Sequence, residues 1–176
     1  MRPTHSTART APEVLDIDSI IKVFNSSSLT MEQKFYGLCF QYAILVEGIY
    51  DQALRYLLLW WENSKGKRLD VQNMSIGNVK KELEATGASP SLFVGWERRI
   101  RNSIAHARFS YDQTMDKAIF DDVDPGDPLN IFHKEMTYNE FGEMGMALYN
   151  VVFLIEIILV MGHLVPMILI AAKKVP

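Results

Sequence analysis

Arg101-Asn102-Ser103-Ile104-Ala105-His106 is the stretch on which the reading of this chain turns. It lies inside a segment, Leu92 to Arg108, whose spacing predicts a helix. At roughly 100° per residue, Arg101 and His106 would point about 140° apart and flank one face of that helix. Asn102 lies one turn before His106, and Arg98 one turn before Asn102, so the three form a polar stripe with Arg101 beside it. Phe93, Trp96, Ile100 and Ile104 form an apolar stripe on the other side, suited to a core. An arginine holds phosphate through a fixed fork of donors and stays charged at any working pH. A histidine titrates near neutrality and moves a proton in either direction. Such a pair is a minimal kit for cutting a phosphodiester.

Working outward, Met31 to Trp61 contains no proline and only two glycines, Gly37 and Gly48, which predicts one helix over about 30–61. Phe35, Leu38, Tyr42, Leu45, Ile49, Ala53 and Tyr56 supply its apolar stripe, and Ser28 or Thr30, with Glu32 and Gln33, its cap. The polar run Asn63 to Arg68 ends it. Ser75 is placed to cap a second helix through about Glu84, closed by Gly87, and Ser89-Pro90-Ser91 opens the motif helix. Residues 109–136 lack a helical pattern. There Lys117–Phe120 and Asn130–His133 are candidate short strands joined by Asp124-Pro125-Gly126-Asp127-Pro128, a strong turn signal. Thr137 and Glu140 make a capping box for a last long helix to about Gly162. Residues 1–12 are expected to be a flexible tail, 13–24 a short amphipathic helix, and 13–172 a single helical domain.

The motif resembles the Arg-x4-6-His signature of HEPN domains in its common form Arg-Asn-x-x-x-His. The order of helices around it is also similar, over residues 28–165. The resemblance implies an all-α, HEPN-like helical bundle, here with a short β-hairpin-like excursion at about 109–136. Many HEPN proteins are metal-independent ribonucleases of toxin–antitoxin, anti-phage or RNA-processing systems, and they usually act as dimers. It further implies that His106 is the general acid or base and that Arg101 stabilises charge on the phosphate. Asn102 would orient the histidine or donate to phosphate. Arg98, Arg99 and Arg108 would contact RNA. Many members have glycine straight after the histidine, where this chain has Ala107.

With 176 residues, 48% hydrophobic and 22% charged, the chain has the composition of one globular domain. A net charge of −3 argues against a surface that attracts nucleic acid everywhere, but it permits a local basic patch. Arg98, Arg99, Arg101 and Arg108 supply one, which Lys65, Lys67, Arg68, Lys80 and Lys81 could extend. Six aspartates against one lysine between Asp112 and Asp127 make that excursion acidic, and it is expected to lie away from an RNA cleft. The single cysteine, Cys39, reads as a buried small hydrophobe. No Cys/His spacing implies a metal, and no cofactor is expected. The first residues do not read as a signal peptide, so a cytoplasmic location is expected.

Two further features need placing. Glu47 and Asp51 are carboxylates one turn apart on an otherwise apolar helix. They read as a solvent-facing edge, or as supporting carboxylates of which one pairs with Arg98 or Arg101 and holds it in place. Met144 to Ala172 is long and apolar enough for a membrane span, but Asn150, Glu156, His163 and Pro166 interrupt it. A buried bundle helix that completes a dimer interface is the favoured reading. The tryptophans Trp60, Trp61 and Trp96 read as core or interface. Together these expectations describe a metal-independent endoribonuclease with RNA as substrate. It would be a homodimer with Arg101 and His106 near the axis, and an antitoxin protein is a possible partner. The alternatives are a non-catalytic module that binds RNA, a nucleotide or a protein, and a small membrane-attached helical protein.

Overall fold

The computed structural model describes residues 27–124 and 126–172, with side chains to 164. The expected tail and the helix at 13–24 therefore fall outside the described residues. A helical path opens with α1, Met31–Ile44, capped by Thr30 and Gln33 in a reciprocal box. It passes through a π-helical turn, Leu45–Tyr50, and continues as α2, Asp51–Ser64. Helix α3, Ile76–Ala85, starts at the Ser75 cap. A 3-10 turn, Pro90–Phe93, leads to α4, Arg98–Ala105. Strands β1, Phe109–Asp112, β2, Lys117–Asp124, and β3, Asp127–Thr137, form an antiparallel meander. Helix α5, Tyr138–Ala172, follows directly from the Thr137/Glu140 capping box.

The expectation of an all-α fold is thus corrected to a mixed one, helices packed with a three-stranded antiparallel sheet. The excursion at 109–136 is a layer of the core. Alternation along β2 turns Ala118, Phe120 and Asp122 inward, and Tyr111 and Met136 join them from the neighbouring strands. Phe35 of α1 meets the rings of Phe109, Tyr111, Phe120 and Phe141, so one aromatic cluster ties the sheet to α1 and α5. Strand β1 is the element the sequence pattern concealed. It is four residues long, and its turn is set by Asp112, whose Oδ1 accepts from the backbone N–H groups of Thr114 and Met115.

The motif helix is also shorter than predicted. Gly95, at φ +80°, breaks the expected 92–108 helix. A Cβ there would sit 2.5 Å from Leu148 N and Met144 O of α5, so only glycine lets this loop cross α5 so closely. Two buried tyrosines fix the loop. The Tyr50 hydroxyl donates to Leu92 O at 2.9 Å, and that of Tyr42 donates to Gly95 O at 3.0 Å while accepting from Glu97 N at 3.2 Å. Burial pushes the Tyr42 pKa up to about 12, so the hydroxyl keeps its proton for that bond.

Within one chain helix α5 is half buried, not fully buried. Phe141, Leu148, Val151, Val152 and Ile155 face the core, while Phe153, Leu154, Ile157, Val160, Met161 and Leu164 are exposed. Its stretch Tyr138–Leu164 is long and apolar enough to cross a membrane by length and composition.

Candidate functional site

The π-helical turn places Glu47 opposite α4, and Arg101 Nε donates to Glu47 Oε1. That bond raises the guanidinium pKa still further above its ordinary value. Arg101 Nη1 donates to Asn102 Oδ1 at 2.9 Å, and Asn102 Nδ2 in turn donates to Asp122 Oδ2 at 3.3 Å. A chain of partners therefore runs from α1–α2 through the motif to the sheet, Glu47–Arg101–Asn102–Asp122. Asp122 is buried and also lies 2.8 Å from Arg99 Nε. Arg99 Nη2 donates to Asp122 O and Asn130 O. Arg99 is consequently a bracket between α4 and the sheet. It is not the free RNA contact that was expected.

Glu47 is thus the one carboxylate of the two that pairs with Arg101, and Asp51 is engaged elsewhere. Asp51 accepts from Arg55 Nε at 2.9 Å and does not touch Arg98 or Arg101. Arg55 spends its other donors on Val71 O and Met74 O, which fixes the loop before the Ser75 cap. Asp51 thus supports the cleft indirectly, through α3.

These elements enclose a polar cleft of about 470 Å³ between the π-turn, α2, the first turn of α3, and α4. Four cations (Arg55, Lys81, Arg98 and Arg101) line it against two carboxylates, Glu47 and Asp51. Arg55 and Arg101 are paired, whereas Arg98 and Lys81 have no ion-pair partner among the described residues. The cleft therefore carries an excess of positive charge, and the N-terminus of α3, with Ser75 and Gly77 at its wall, adds to it. An anion is the ligand this lining suits.

His106 is not on the cleft wall. It is the C-terminal cap of α4, with φ −98° and ψ 9°, and its ring is exposed without a side-chain partner among the described residues. The last helical bond, from His106 N to Asn102 O at 2.9 Å, still reaches His106, and the helix stops there. Ala107 then takes a left-handed conformation, φ +53°, and Arg108 N bonds Ser103 O at 2.8 Å to close the helix. Arg108 is exposed beyond this turn. Of the residues singled out in the sequence, Arg98, Arg101, Asn102, Glu47 and Asp51 come together in the cleft. His106 and Arg108 lie past the end of α4, and Arg99 faces the sheet.

Sequence reasoning missed Asp122, Arg55 and the α3 N-terminus as parts of this region, whereas Lys81, named as a possible extension of the basic patch, lines the cleft. Asp122 left one signal, a charged residue at an inward position of an alternating strand. The acidic excursion is not wholly remote from the cleft, since this one aspartate supports Asn102. Among the described residues no group of three or more His, Cys, Asp or Glu side chains could hold a metal.

Compared with protein-family models, with curated proteins and with solved structures, the chain matches none of them. The functional reading rests on the residues.

Proposed function

We propose that this chain is a HEPN-like, metal-independent endoribonuclease that uses Arg101 in the cleft and His106 at the end of the same helix. The observation that carries the reading is the state of Arg101. Glu47 takes its Nε–H and Asn102 one Nη1–H, which leaves three of the five guanidinium donors for a phosphate. Glu47 and Asn102 orient the group, and Arg98 and Lys81 add charge that no carboxylate cancels. His106 removes the proton from a ribose 2′-hydroxyl, and that oxygen attacks the adjacent phosphorus. The 5′ oxygen leaves and takes a proton, and the product ends in a 2′,3′-cyclic phosphate. Arg101 stabilises the charge that builds on the phosphate oxygens. A cytoplasmic effector of a toxin–antitoxin or anti-phage system, restrained by a partner protein, fits such an activity.

His106→Ala is expected to lower cleavage by about 10²-fold or more. It should leave the melting temperature near wild type, because the ring is exposed and unpartnered. Cleavage unchanged in that variant would remove His106 from the mechanism. One observation favours a second reading, a non-catalytic module that binds RNA or a nucleotide: Arg101 is already charge-paired in the free protein. Under that reading RNA binds, with the salt dependence of a few phosphate contacts, and is recovered intact.

A further inference from the structure

The exposed side of α5 carries a second, outward seam. Met146, Asn150, Phe153, Ile157, Val160 and Leu164 follow one another at alternating steps of four and three residues, and all six are exposed. The inward face of the same helix keeps its own register through Phe141, Leu148, Ile155 and Gly162, the last packed on Trp60. A helix with this period on its free side presents the layers of a two-stranded coiled coil. An exposed apolar stripe of this length on a folded domain marks a contact surface.

The flanking residues decide what covers it. Leu154, Glu156, Met161 and His163 border the seam and are exposed. In an antiparallel pair of α5 helices, Ile157 layers against the partner helix at position 160 and Phe153 against position 164. The same register sets Glu156 opposite position 163 and Leu154 opposite position 161, each twice by symmetry. Glu156 thus meets a histidine, and an apolar border meets an apolar border. His163 Nδ1 is 2.6 Å from Leu159 O in its own helix, which leaves Nε2 as the free nitrogen. A parallel pair would instead set Glu156 against position 161, a methionine, and leave His163 without a carboxylate. A lipid surface would have to take in Asn150, Glu156 and His163, all on the exposed half of the helix.

We propose that α5 is the interface of a twofold homodimer in which two copies of this helix pack antiparallel, centred between Ile157 and Val160. The cleft at Arg101 is lined by no residue of α5, so the two clefts stay open in this dimer. This departs from the expectation of a dimer axis at the motif.

The test uses the full chain and needs no RNA. Wild type should sediment as a dimer at micromolar concentration, and Ile157→Asp as a monomer with unchanged circular dichroism. Cys39, the only native cysteine, is buried and serves as the silent background. Under mild oxidation a mixture of Phe153→Cys and Leu164→Cys proteins should form a cross-linked dimer, whereas Ile157→Cys alone should not. A self-linked Ile157→Cys dimer means parallel packing and overturns the proposal. So does a wild-type monomer, a dimer that survives Ile157→Asp, or flotation of a monomer with phosphatidylcholine–phosphatidylglycerol vesicles.

Discussion

At the scale of single residues, two backbone positions control how the motif is presented. Gly95 crosses α5 where no side chain fits and holds φ +80°. Gly95→Ala is expected to cost about 3 kcal/mol or more, because the obstructing atoms are backbone and cannot turn aside. Thermal unfolding of the variant checks this, and a loss below about 1 kcal/mol would mean that the loop is free to shift. Ala107 sits in the left-handed turn just after His106. An L-residue there costs roughly 1–2 kcal/mol that glycine avoids, offset in part by glycine's greater freedom when unfolded. Ala107→Gly should therefore stabilise the chain by about 0.5–1 kcal/mol and raise its melting temperature. The cap at His106 would keep its shape. Both effects turn on positive φ. The sequence marks one of them with a glycine and hides the other behind an alanine.

At the scale of elements, much of the helical order was legible. The caps at Thr30, Ser75 and Thr137, with the proline-free run after Met31, set helix starts that the structure keeps. Local chemistry writes those signals directly into the sequence. The motif helix was read too long because Phe93, Trp96, Ile100 and Ile104 keep helical spacing across a glycine that breaks the helix. The sheet was underestimated because β1 is too short to show alternation and β3 is exposed for most of its length, so a hairpin seemed sufficient. The π-turn that presents Glu47 shifts the buried face of this path: Val46, Tyr50, Leu54, Leu57 and Leu58 are buried, whereas Ile49 and Tyr56 of the expected stripe are exposed. The outer face of the sheet yields a pH prediction. His133, on β3, lies 2.7 Å from Asp121 of β2 and 3.4 Å from Glu135, and hydrogen bonds to both carboxylates raise its pKa above the ordinary value. Its raised folded value means that its contribution is fully present below pH about 6.5 and is lost as pH rises through the folded pKa. An NMR titration should find the His133 midpoint above the ordinary histidine value, and His133→Gln should flatten the stability profile across that window. An unshifted midpoint would contradict the contacts.

At the scale of the whole molecule, the sheet braces α4 through Arg99 and Asp122, and Arg55 braces α3. Tyr42 and Tyr50 pin the loop between them, so the cleft is held from three sides. Asp122→Ala should cost about 3 kcal/mol by leaving Arg99 without its charge partner, and should loosen Asn102 as well. Such a variant is expected to lose activity along with stability, which separates support from chemistry. The most direct measurement is cleavage of a single-stranded RNA by the purified full chain in excess EDTA, with His106→Ala and Arg101→Ala run alongside. Cyclic-phosphate ends from the wild type, and loss of about 10²-fold or more in both folded variants, is the expected result. Cleavage that needs a divalent cation, or that persists in both variants, would contradict the assignment.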